Sequence, residues 1–129
     1  MRYLIDAHCL IWAQDNPGKL GQTAITTLQD SANQLLLSSG TIWELSIKSG
    51  LAKLTLSPGF RQWMVRAIAD LDLVVLPITL DHADRQTHLP WHHRDPFDRL
   101  LTAQALVEGI PLISADLIFD QYGVQRLWQ

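Results

Sequence analysis

Short runs of Leu, Ile and Val recur along this chain, and each is followed by residues with helical spacing. The runs cover residues 2–5, 35–37, 73–76 and 112–114. They are too short for helices, and they do not alternate apolar with polar residues as a half-exposed strand does. Strands read this way when helices cover both faces of a parallel sheet. The alternation therefore predicts an α/β protein, built as a three-layer α/β/α sandwich on a mainly parallel sheet of about five strands. Residues 124–128 supply the fifth, an edge strand. Helices are expected over 7–14, 23–31, 41–49 with Gly50 as cap, 58–70, 80–87 and 96–108 with Gly109 as stop.

The length of 129 residues fits one domain, 1–129. A hydrophobic fraction of 47% against 18% charged residues excludes a disordered chain. Cys9 is the one cysteine, so no disulfide closes within the chain, and a reducing cytoplasm is the expected compartment. Asp6 interrupts the N-terminal apolar run too early for a signal peptide. No apolar run approaches the ~18 residues of a membrane helix.

Eleven of the thirteen acidic residues are Asp and two are Glu. Glu is the better helix former, so this excess of Asp points to caps, turns and sites. Open parallel sheets bind ligands beyond the carboxyl ends of their strands. Asp6 ends the first strand, Glu44 lies early in the helix after the second, and Asp116 follows the fourth by two residues. Asp98 reaches the same edge only if its helix starts there. Each has a plainer reading: Asp6 as a turn residue, Asp116 as a helix cap, Asp98 at the third helical position behind cap Asp95 and Pro96. Glu44 resists one, because an acid between Trp43 and Leu45 in an apolar helix needs a partner.

Several carboxylates gathered at one edge repel each other and call for a cation. Oxygen donors suit Mg²⁺ or Mn²⁺ better than zinc. Such an ion polarises phosphoryl oxygens and acidifies bound water. The net charge of −3 argues against broad nucleic-acid affinity, but without the four acids it becomes about +1.

Four segments carry a family resemblance: residues 4–12 (LIDAHCLIW), 38–48 (SSGTIWELSIK), 93–105 (HRDPFDRLLTAQA) and 112–116 (LISAD). Together, in this order, they resemble the PIN-domain ribonucleases of the VapC toxin type. The resemblance implies a divalent-metal-dependent endoribonuclease in which Asp6, Glu44, Asp98 and Asp116 are the four acids. It implies metal ligation by Asp6 and Asp98, with Glu44 and Asp116 completing or supporting the cluster. A metal-activated water would then attack an RNA phosphodiester in line, leaving 5′-phosphate and 3′-hydroxyl ends. It further implies a cognate antitoxin and a homodimer. The apolar helices near Trp12 and Trp63 are candidates for a dimer surface, and an amphipathic core face reads the same in sequence. Two positions depart from the pattern. Ala7 stands where Thr or Ser is common, which removes a hydroxyl that could orient Asp6. Ser114 stands where Thr is usual and keeps one. Asp95 is an extra acid, read first as a cap.

His82, His88, His92 and His93 match no zinc spacing and are expected at the surface or beside RNA. His8 is expected at a surface helix start and Cys9 in the core. Trp12, Trp43 and Trp63 fall on apolar helix faces and are expected in the core, leaving Trp91 as the one base stacker. Arg85, Arg94, Arg99, Lys48 and Lys53 flank the acids and could hold phosphates or simply be solvated. A PIN-fold module that binds RNA or a partner without cutting is the alternative reading, and Ala7 is its support. A haloacid-dehalogenase-type phosphatase needs Asp-x-Asp where Asp6-Ala7-His8 stands. No phosphate-loop motif is present.

Overall fold

The computed structural model describes residues 1–129. Five strands form one sheet: β1 (Arg2–Ile5), β2 (Gln34–Ser38), β3 (Leu73–Leu76), β4 (Leu112–Ile113) and β5 (Arg126–Leu127). Their order is β3-β2-β1-β4-β5, and every pairing is parallel. Six α-helices join them: α1 (Ala7–Asp15), α2 (Gln22–Gln29), α3 (Ser39–Gly50), α4 (Phe60–Asp70), α5 (Leu80–Thr87) and α6 (Pro96–Glu108).

Successive strand residues point to opposite faces, so the Leu/Ile runs feed two cores. Ile5, Leu35, Leu37 and Ile113 pack with Leu10, Leu45, Trp63, Met64 and Ala67 on one face. Leu4, Leu36 and Leu112 pack with Leu101, Ala105, Phe119 and Val124 on the other. Helices α1, α2 and α4 thus cover one side and α6 the other, with α5 against α6. This is the expected sandwich, and its sheet is wholly parallel.

Strand order reverses between β1 and β4, since the chain builds β2 and β3 to one side before crossing to the other. At such a switch the connections leave in opposite directions and open a crevice beyond the carboxyl ends. Asp6 leaves β1 there, and the Asp6 N–H donates to the Ile113 carbonyl of β4 (3.2 Å). Helix α6 runs back to enter β4, so its N-terminus returns to this edge. Gly40 lets α3 meet α6 closely: a Cβ at that position would collide with the Leu100 side chain.

The element ends differ in physical detail from expectation. Helix α3 starts at Ser39 because the Ser38 hydroxyl caps it, accepting from Gly40 N–H (3.0 Å). Gly50 is its last residue rather than its cap. Helix α2 stops at Gln29, where the Asp30 carboxylate turns the chain by accepting from Ala32 N–H (2.9 Å). Helix α4 starts at Phe60, after an extended Gly59. Gly109 does close α6, in the left-handed region at φ 65°. Trp43 corrects the core reading: it is 65% exposed, whereas Trp63 is buried and Trp12 half-buried.

Candidate active site

Asp6 is fixed by three elements. Its carboxylate caps α1, accepting from Cys9 N–H (2.8 Å), and it also accepts from the Ser114 hydroxyl beyond β4. The side chain is buried, and that burial raises its pKa above the ordinary aspartate value. The bonds from Ser114 and Cys9 oppose the rise, and the Asp116 charge adds to it. The Ser114 oxygen in turn accepts from Asp116 N–H (3.0 Å). One hydroxyl therefore ties the first acid to the fourth. It also supplies the orientation of Asp6 that Ala7 cannot. The exposed Asp116 carboxylate caps the short 3₁₀ helix Leu117–Tyr122, accepting from Ile118 N–H (3.0 Å).

Glu44 and Asp98 meet on the other side, where α3 approaches α6. Glu44 is buried and bonded to Lys48 one turn on (2.9 Å), which is the partner that its apolar helix demanded. Bonding to Glu44 raises the Lys48 pKa, and the charges of Asp95 and Asp98 raise it further. Asp98 is pushed up to about 6, first by burial and then by the Asp95 and Glu44 charges. His93 opposes that rise through a bond between its Nε2 and Asp98 Oδ2 (2.8 Å). Asp95 is the α6 cap, accepting from Phe97 N–H (2.8 Å) and Asp98 N–H (3.2 Å). It is also more than a cap: His93, Asp95 and Asp98 offer ligand atoms that all lie within 4.8 Å of one another.

The structure thus links Asp6 to Asp116 through Ser114 and sets Asp98 within reach of the Glu44 charge, while the ligand atoms that converge are those of His93, Asp95 and Asp98, a group that leaves out Asp6, Glu44 and Asp116. The raised pKa values at Asp6 and Asp98 come first from burial, which their hydrogen bonds offset only in part. The donor set, carboxylate oxygens with one imidazole, fits a divalent cation of the Mg²⁺ or Mn²⁺ type.

Three residues carry roles that sequence reasoning missed. His93 bonds the third acid, and its place five residues before Asp98, just ahead of the cap, was the available signal. Arg99 corrects the reading of a phosphate-binding side chain: it is 2% exposed and turned inward. Its guanidinium donates to Gln86 Oε1 and to the carbonyls of Gln86, Leu89, Pro90 and His93 (2.8–3.4 Å), holding the loop that presents His93. Its helical phase, four residues before the buried Ala103, was the clue. His82 corrects the surface reading as well. It is fully buried, caps α5 through a bond from Thr79 N–H to Nδ1 (3.1 Å), and meets Glu108 through Nε2 (2.9 Å).

The PIN domain family model matches residues 3–125 of this chain. The chain belongs to the PIN-domain family. Among curated proteins nothing matches the sequence. Several solved structures share the fold. VapBC2 from Rickettsia felis, bound to a DNA fragment from its promoter, aligns with a TM-score of 0.78 at 15% identity, covering 100% of both chains. DNA-bound VapBC from Salmonella typhimurium gives 0.72 at 15% identity, over 98% of this chain and 97% of that one. The VapC20 toxin of Mycobacterium tuberculosis, described as cleaving the sarcin–ricin loop, gives 0.64 at 16%, over 98% and 99%. At such identities the likeness is one of fold.

Proposed function

We propose that this chain is a divalent-metal-dependent endoribonuclease, the toxin component of a toxin–antitoxin pair, acting as one nuclease domain over residues 1–129. The observation that supports the reading is a pair of buried acids with raised pKa values, Asp6 with Asp116 as a charged neighbour and Asp98 with Glu44 as one.

Asp6 and Asp98 would hold the ion, with Glu44, Asp116 and the His93 imidazole around them. A bound Mg²⁺ or Mn²⁺ supplies polarisation of a phosphoryl oxygen and a more acidic water. The chain's own groups do the positioning. Ser114 fixes one oxygen of Asp6, and His93 Nε2 is bonded to Asp98 Oδ2. Lys48 screens Glu44 and offers a cation beside the scissile phosphate. The solved relatives in fold are VapBC assemblies, which supports a cognate antitoxin as partner. Homodimerisation and a cytoplasmic location belong to the same proposal. No helix here is long and apolar enough to cross a membrane. The reading of a non-cutting module rests on Ala7, and against it stands the Ser114 hydroxyl, which bonds Asp6.

The test is cleavage of structured and single-stranded RNA by antitoxin-free protein with Mg²⁺, Mn²⁺ or EDTA. Metal-dependent cutting is expected, and it should vanish in Asp6→Asn, Glu44→Gln and Asp98→Asn proteins that keep the wild-type circular dichroism. Wild-type rates in those variants would refute the assignment.

A further inference from the structure

Trp91 and Arg94 line a shallow cavity of about 410 Å³ immediately before the α6 cap. That volume lies in the range of small-ligand sites, roughly 300–1,000 Å³. The Trp91 ring is 71% exposed, yet it is not loose. The buried Arg99 guanidinium lies 3.8 Å from its ring centroid, so one face is stacked and the other is open. The same guanidinium bonds the Leu89, Pro90 and His93 carbonyls on either side of it. Tyr122 pins the loop from outside: its hydroxyl accepts from His93 N–H (2.8 Å), and its ring meets His92 edge-on at 5.2 Å. Arg94 is exposed and enters none of the six ion pairs. It sits between His93 and Asp95, two of the three residues whose ligand atoms converge.

We propose that this cavity is a nucleotide subsite for RNA, in which an unpaired base stacks on the open face of Trp91 and Arg94 pairs with the phosphate leading to the acidic cluster. It rests on the RNA-cleaving reading and names its substrate class: RNA whose bases are splayed out of a duplex, as in loops and single strands. A stacked base demands a rigid aromatic with a free face, and Arg99 provides that rigidity without occupying the open side. Duplex RNA offers no free base face and gains nothing from Trp91. Trp43, also exposed, lacks any comparable support.

The test is fluorescence anisotropy of a labelled ten-residue oligouridine and a labelled RNA duplex, in EDTA so that nothing is cut. Trp91→Ala should weaken oligouridine binding about tenfold, within the range for one lost stacking contact, and change duplex binding less than about twofold. Trp91→Phe should restore most of the affinity. Arg94→Ala should reduce the slope of log K against log salt by ~0.7, the share of one phosphate contact on a single strand. Leu80→Ala, at a highly exposed residue on α5, should behave as wild type. Equal binding by wild type, Trp91→Ala and Arg94→Ala overturns the subsite, as does no oligouridine binding at all. Parallel Mn²⁺ cleavage separates the two claims. Cutting with an indifferent Trp91 sinks only the subsite, and Trp91-dependent binding without cutting sinks only the nuclease.

Discussion

Ser114 bears more on the site than its size suggests. Its hydroxyl holds Asp6 and receives the Asp116 amide, so removing it frees the first acid to turn. Ser114→Ala should cost 10–100-fold in cleavage rate, the usual effect of deleting a group that orients a ligand, with little change in folding. Ser114→Thr should keep the rate. Equal rates in all three proteins would show that Cys9 N–H suffices to hold Asp6. Arg99 works on stability instead. Its truncation strands three loop carbonyls and both the carbonyl and the side chain of Gln86 at the end of α5, and Arg99→Ala should lower unfolding free energy by about 3–5 kcal/mol in urea titrations. Arg99→Lys should not rescue it, because an ammonium cannot reach so many acceptors in a plane. A loss under about 1 kcal/mol would mean that the loop holds itself.

At the scale of elements, helix α6 ties the two ends of the second core together. Its last residue, Glu108, has its pKa lowered first by the bond to buried His82 and then by the bond to Arg2. A carboxylate lowered in the folded state adds stability above its unfolded pKa of about 4.5 and loses it as pH falls through the lower folded value. Urea midpoints of wild type and Glu108→Gln should therefore differ most at pH 7 and converge only as pH falls below the lowered folded value. A constant gap across that range would assign the effect to packing. Gly21, ahead of α2, abuts the Trp128 carbonyl, where a Cβ would collide with backbone. Gly21→Ala should cost about 1–3 kcal/mol, an overpacking penalty, and loosen the C-terminal residues against α2.

Most of this element scale was legible in the chain. Leu/Ile runs of strand length alternating with helical spacing point to a buried parallel sheet, and the Asp95-Pro96 start and Gly109 stop bracket α6 to the residue. Helix ends elsewhere depended on side-chain bonds of Ser38 and Asp30, which no hydrophobic period encodes. The carboxyl-edge position of the acids was legible from the strand ends. Their pairing was not, because it depends on how closely α3 meets α6 through Gly40. Trp43, Arg99 and His82 were misplaced for one reason. Residue type predicts burial poorly when an indole faces outward, or when a cation or imidazole finds enough backbone partners inside.

At the scale of the whole molecule, four carboxylates stand at the carboxyl edge of the sheet: Asp6 and Asp116 directly behind strands, Glu44 and Asp98 on helices. An ion drawing on both pairs would bind the folded chain alone. At a hundredfold excess over its Kd it should stabilise folding by about 2.7 kcal/mol. The most direct measurement is calorimetric titration of Mn²⁺ into wild type, Asp6→Asn and Asp98→Asn. One site is predicted in wild type, with affinity falling at least tenfold in each variant, because one ion draws on both pairs. Unchanged affinity in Asp6→Asn with loss in Asp98→Asn would contradict the account: the ion would then belong to His93, Asp95 and Asp98 alone.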